Sequence, residues 1–131
     1  MSVGLDTSIV LRLLTGLPQH QTEAAQQFIL TAASSVVVSD LVVSEAYFAL
    51  RHHYAVPHAK AVSALLALLN DARIQGSGNA RRVLSEMKAT SKPGLIDRLI
   101  CADYAREDLE SLTFDREFAS LPSARLLAAN R

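Results

Sequence analysis

The sequence predicts a three-layer α/β domain, a short central parallel sheet flanked by helices. Short apolar or β-branched runs alternate with longer segments whose apolar residues recur at helical spacing. Strands that alternate with helices usually pair in parallel, with helices covering both faces of the sheet. Because no repeat, low-complexity tract or linker interrupts the 131 residues, we expect one domain over residues 1–131.

The elements follow from local patterns and from capping residues. Strands are predicted at about residues 2–6, 36–38, 73–75, 110–113 and 124–127. Helices are predicted from Thr7 or Ser8 to Leu14, at 20–33, from Ser39 or Asp40 to about Tyr54, from Pro57 to about Asn70, at 79–90, from Pro93-Gly94 through Asp97, and as one turn at 115–119.

Composition excludes several classes of protein. Lys plus Arg and Asp plus Glu both number 13, so bulk positive charge for coating nucleic acid is absent, although a local basic rim is compatible with this balance. Cys101 is the sole cysteine, which excludes an internal disulfide and a cysteine-based zinc cluster. No apolar stretch reaches the roughly 20 residues of a membrane span, so we expect a soluble, cytoplasmic protein without a membrane partner.

Four acidic residues stand in apolar surroundings. Asp6 follows the apolar opening, Glu45 and Asp97 lie within apolar helical segments, and Asp115 follows a predicted strand. A buried carboxylate usually needs a cation, a partner or a raised pKa. On a helical wheel both Glu45 and Asp97 are predicted to point inward. The neighbours that suggest this are Leu41, Val42, Phe48 and Ala49 for Glu45, and Ile100, Cys101 and Tyr104 for Asp97.

A cluster of carboxylates without cysteines or paired histidines suits Mg²⁺, with Mn²⁺ as a substitute, better than Zn²⁺. Such an ion supports in-line cleavage of a phosphodiester. Without a cation the four charges should repel, so we expect Asp6→Asn to stabilise the metal-free protein.

The acids stand within four motifs, Leu5-Asp6-Thr7-Ser8, Val38 to Glu45, Gly94-Leu-Ile-Asp97 and Leu112-Thr113-Phe-Asp115. In order and spacing these resemble the motifs of PIN-domain ribonucleases, and more closely those of the VapC toxins of bacterial type II toxin–antitoxin systems. The resemblance covers essentially the whole chain.

This resemblance implies Mg²⁺-dependent endonucleolytic cleavage of RNA. It implies that Asp6 and Asp97 are the principal metal ligands, that Glu45 and Asp115 complete the acidic site, and that Thr7 and Thr113 support it, Thr113 by orienting Asp115 or a water. It also implies a cognate antitoxin protein that occupies the groove, and a homodimer. An apolar surplus is in line with a dimer interface and includes Ile9, Leu13, Phe28, Tyr47, Leu65 and Leu68.

Other interpretations remain open at this stage. Asp6 and Asp115 are compatible with simple helix capping, and Glu45 and Asp97 with buried ion pairs to His52 or Arg98. A phosphoryl-accepting receiver needs a late lysine at the end of a strand, and this chain has none there. A haloacid-dehalogenase-type phosphatase needs an acid where Ser8 stands. A non-catalytic module that binds a basic partner segment is the main alternative. The basic residues fit an RNA path or a solvated surface equally, so no RNA-binding residue is assigned.

Overall fold

The computed structural model describes residues 2–129, which form five short strands and seven helices. The strands are β1 (Val3–Gly4), β2 (Val36–Val38), β3 (Ile74–Gly76), β4 (Ser111–Thr113) and β5 (Ala124–Leu126). The helices are α1 (Thr7–Thr15), α2 (Gln19–Thr31), α3 (Asp40–His52), α4 (His58–Leu69), α5 (Ala80–Glu86), α6 (Leu95–Arg106) and α7 (Arg116–Ala119).

All strand pairs in residues 2–129 are parallel. Strand β2 lies between β1 and β3, with Val36 opposite both Val3 and Ile74. Strands β4 and β5 pair separately, with Ser111 opposite Ala124. The predicted α/β class, with parallel strands and flanking helices, is confirmed. The strands are nevertheless divided between a three-stranded and a two-stranded sheet.

One core joins the helices to the three-stranded sheet. The central strand buries Val36 and Val38, and helix α4 buries Leu65 and Leu69 completely. Burial of a leucine side chain contributes about 1.5–3 kcal/mol to folding. This core fixes the positions of the helices that carry the acidic residues.

Most of the apolar surplus is used in this core. Leu65 is fully buried, and Ile9, Leu13, Tyr47 and Leu68 pack partly buried against it. Of the six residues expected to be in excess, only Phe28 is largely exposed to solvent. Five of the six residues therefore contribute to the core, wholly or in part.

Helix α5 ends at Glu86, four residues before its predicted end. Met87 adopts extended backbone angles, and its carbonyl accepts a long hydrogen bond of 3.4 Å from His58 Nε2. The Lys88 amide donates to Ser91 Oγ at 2.8 Å, which forms a local turn in place of another helical turn.

Asp40 connects the carboxyl ends of β2 and β3. Its two carboxylate oxygens accept the amides of Asn79 and Ala80, each at 2.9 Å. A Cβ at Gly78 would lie 2.5 Å from Asp40 Oδ2, so a side chain at this position would disrupt the connection. Asp40 therefore has a structural role at this edge.

In the part of the chain that the structure describes, no helix combines the length and the apolar character that a membrane crossing requires.

Candidate acidic site

Asp6 lies just beyond β1 and is the N-cap of α1. Its Oδ1 accepts hydrogen bonds from the Ser8 hydroxyl at 2.6 Å and from the Ile9 amide at 3.2 Å. These bonds, that of Ser8 foremost, lower the pKa of Asp6 below its ordinary value. Asp6 therefore does cap α1, a role that a metal-binding carboxylate can also have. The pKa shift is opposite to that expected from a crowded, mutually repelling site.

Glu45 is connected to the segment that follows Asp6. The Thr7 hydroxyl donates to Glu45 Oε1 at 2.9 Å, which joins α1 to α3. The Thr7 side chain therefore orients one of the four acids directly.

The prediction that Glu45 points inward is wrong. Helix α3 buries Val43, Ala46 and Leu50, whereas Glu45 is exposed. Leu41 and Phe48, which suggested a buried face, are 77% and 52% exposed. Apolar residues occur on most sides of this helix, so the wheel did not identify the face that packs against the core.

Asp97 lies in the first turn of α6 and is partly buried. Burial raises its pKa above the ordinary value, and the charges of Asp115 and Glu117 raise it further. The expected inward orientation is only partly met, since Ile100 and Tyr104 on this helix are exposed. Burial and two neighbouring negative charges thus both disfavour the ionised form of Asp97.

Asp115 caps the short helix α7. Its Oδ1 accepts the amide of Glu117 at 2.8 Å and, more weakly, that of Phe118 at 3.5 Å. Thr113 Oγ1 accepts the Asp115 amide at 3.0 Å. Asp115 therefore does cap α7, and the contact from Thr113 orients the backbone of Asp115 and not its carboxylate.

The alternative of structural ion pairs finds no support in residues 2–129. The salt bridges there join Arg73 to Asp71, Arg82 to Glu86 and Arg125 to Glu110, and include none of the four acids. The Arg98 guanidinium instead donates to the carbonyl of Pro93 at 2.7 Å.

Two adjoining pockets open beside Glu45 and Asp97. The Glu45 pocket is lined by Thr7, Ser44, Glu45, Phe48, Ala49, His53 and Ile96. The Asp97 pocket is lined by Ser44, Tyr47, Phe48, Gly94, Leu95, Ile96 and Asp97. Because Ser44, Phe48 and Ile96 border both pockets, Glu45 and Asp97 lie on two sides of one continuous surface.

His58 holds Tyr47 at the wall of the Asp97 pocket. The His58 Nε2 atom faces the Met87 carbonyl, which can only accept, so Nδ1 is the acceptor for the Tyr47 hydroxyl at 2.6 Å. This pair connects α3 to α4, and the contact of His58 with Met87 extends the connection to the chain between α5 and α6.

The donor chemistry fits a hard divalent cation, since all candidate ligands are carboxylate oxygens. The side chains as placed do not form a finished cage, because within residues 2–129 no three His, Cys, Asp or Glu side chains surround one point. Two of the acids each accept a hydroxyl group, Asp6 from Ser8 and Glu45 from Thr7. In a second group, the charges of Asp115 and Glu117 act on Asp97.

Sequence reasoning missed Glu117 and Ser8. Glu117 follows Asp115 by two residues, inside the helix that Asp115 caps, and its charge acts on Asp97. Ser8 follows Asp6 by the same interval and donates to it. The available signal was a hydroxyl group or a second acid two positions after a capping acid.

The chain matches the PIN domain family over residues 3–123 and belongs to that family. The PIN domain is a nuclease-type fold that generally depends on divalent metal ions. No curated protein gives a significant match to the sequence.

Proposed function

We propose that this PIN domain is a Mg²⁺-dependent endoribonuclease. The observation that carries the proposal is the uncompensated charge of Asp97 beside Asp115 and Glu117. In a PIN domain, a repelling group of carboxylates at the surface provides a binding site for a divalent cation. Mn²⁺ would substitute for Mg²⁺, because both take oxygen ligands.

Asp6 and Asp97 would be the principal ligands, with Glu45 and Asp115 as additional ones. Bound Mg²⁺ would supply a water of lowered pKa and offset charge on the phosphoryl oxygens. The hydrogen bonds from Ser8 and Ile9 keep Asp6 ionised and in position for this task. The hydrogen bond from the Thr7 hydroxyl holds the carboxylate of Glu45 in position.

We further propose that the enzyme is the toxin of a VapC-type toxin–antitoxin pair and acts in the cytoplasm. The order of the four acidic motifs supports this assignment. A groove of about 290 Å³ between α3 and α6 supports a protein partner, since Leu41, Ile96 and Ile100 expose apolar surface along it. An apolar antitoxin helix would fit this groove, with an Arg or Lys reaching the acids.

The nuclease proposal is tested with purified full-length protein and end-labelled single-stranded RNA. Cleavage should require Mg²⁺ or Mn²⁺, stop with EDTA, and spare DNA of the same sequence. Asp103→Asn is a matched control, since Asp103 is an exposed acid on the same helix as Asp97. Intact RNA in both metals, together with tight binding of a basic peptide, would instead support the non-catalytic module.

The partner proposal has a separate test. Addition of the protein encoded by an adjacent small reading frame should inhibit cleavage competitively with RNA, and light scattering should give a homodimer for the toxin alone. Ile100→Asp should weaken inhibition. A monomeric enzyme that is indifferent to the neighbouring product would overturn this part while leaving the nuclease assignment intact.

A further inference from the structure

Phe48 occupies the border between the two acidic pockets. It follows Glu45 by three residues, so the two side chains are neighbours on the surface of α3. Its ring lines the Glu45 pocket and also the Asp97 pocket. A polymer whose backbone runs along this surface from Glu45 to Asp97 therefore passes beside the ring.

The core does not need this ring. Helix α3 packs through Val43, Ala46 and Leu50, while Phe48 remains 52% exposed. One turn further, the ring of His52 lies against Phe48 with centroids 4.3 Å apart and planes inclined by 43°. At this inclination the two rings do not cover each other as parallel rings would, and they present a joint aromatic surface.

We propose that Phe48, with His52, is a stacking site for an unpaired RNA base next to the phosphodiester at the acids. This inference rests on the nuclease function proposed above and names a specific contact within it. Single-stranded RNA is commonly bound by stacking of its bases on Phe and His side chains.

Charge favours stacking over phosphate contacts at this position. Asp97, Asp115 and Glu117 repel phosphates, and the chain as a whole has a formal net charge of zero. Electrostatic attraction therefore contributes little affinity beside the acids until a cation binds. An aromatic surface supplies affinity that does not depend on charge, and it accepts any base because every base has a π face.

The test measures binding of a fluorescein-labelled single-stranded RNA by anisotropy, in Mg²⁺, with all variants built on Asp97→Asn to prevent cleavage. Phe48→Ala should weaken binding about 5- to 100-fold, and Phe48→Tyr should retain it. The dependence of binding on salt should keep its slope, because no phosphate contact is lost. Phe28→Ala is the matched control, since Phe28 is also a half-exposed phenylalanine but lies on α2 and lines neither acidic pocket.

A second readout uses enzymes with Asp97 intact. Phe48→Ala should raise KM for RNA far more than it lowers kcat, as expected for lost substrate binding. A set of RNA substrates would each carry one abasic nucleotide at a different position. At one position the missing base should raise KM for the wild type and leave KM for Phe48→Ala unchanged.

Binding by Phe48→Ala within twofold of its parent, or an equal loss in Phe28→Ala, would overturn the stacking site. So would a Phe48→Ala variant that loses self-association while binding RNA normally, since Phe48 would then be a protein contact. The two proposals fail separately. RNA binding that depends on Phe48 without any cleavage would refute only the nuclease, and cleavage without dependence on Phe48 would refute only the stacking site.

Discussion

The two acids from the first half of the domain are each held by a hydroxyl group, whereas Asp97 from the second half is exposed to the repulsion of two neighbouring carboxylates. Asp6 accepts a hydrogen bond from the hydroxyl group of Ser8, and Glu45 accepts one from that of Thr7. Asp97 faces Asp115 and Glu117, and its pKa is raised. The difference suggests a division of roles in which the first pair is fixed in advance and the second group gains most from a bound cation.

The largest expected effect is on catalysis. Asp97→Asn or Asp6→Asn keeps the volume of the side chain but removes a charge proposed to hold the metal. RNA cleavage at saturating Mg²⁺ should fall at least about 100-fold, or about 2.7 kcal/mol of transition-state stabilisation. Wild-type rates in either variant, with Asp103→Asn as reference, would rule out the proposed site.

Metal binding should stabilise the folded protein. At ten times its dissociation constant, Mg²⁺ would add about 1.4 kcal/mol to the free energy of unfolding. Thermal melts of wild type should therefore shift upward with Mg²⁺, and those of Asp97→Asn should shift much less. Equal shifts in both would show that the ion binds elsewhere.

The Thr7 hydroxyl offers a smaller test of the first pair. Thr7→Val removes the donor to Glu45 and should lower kcat/KM by about fivefold, corresponding to about 1 kcal/mol. Thr7→Ser keeps a hydroxyl and should retain most of the activity. Equal activity of the Val and Ser variants would mean that the bond to Glu45 is incidental.

The smallest expected effect is on the stability of the metal-free protein. Replacing Asp97 and replacing Asp6 should change the melting temperature in opposite directions. The pKa of Asp97 is raised in the folded protein, so this residue contributes favourably to the free energy of unfolding below its ordinary pKa of 3.8. The contribution is lost as the pH rises through the raised pKa. Asp97→Asn should therefore melt about 1–3 °C higher than wild type at pH 7, with no difference at pH 3.

Asp6 has the opposite sign. Its lowered pKa gives stability above 3.8 that is lost as pH falls through the lowered value. Asp6→Asn should thus melt at or slightly below wild type at pH 7, since Asn is also a good N-cap. Melting curves in EDTA decide the matter, and higher melting of Asp6→Asn would restore the expectation of a single repelling cluster.

The parts of the fold predicted well are those fixed by local sequence. Strand β2 coincides with its valine run, and α3 begins at Asp40 after the cap Ser39. Both signals act within a few residues and do not depend on distant parts of the chain.

Long-range contacts account for what was missed. The orientation of α3 depends on which neighbouring helices cover it, and Leu41 and Phe48 stay exposed although they are apolar. Contacts of Met87 with His58, and of Asp40 with Asn79, join residues 29 and 39 positions apart. A helical wheel or a propensity carries no information about such pairs.

The apolar surface of Leu41, Ile96 and Ile100 also has a colloidal consequence. The isoelectric point is about 6.9, so near neutral pH the molecules carry almost no net charge to keep them apart. Exposed apolar patches on uncharged molecules adhere to one another. The isolated protein should therefore be least soluble near pH 7 and more soluble a pH unit or two away, and a partner that covers this surface should remove that minimum.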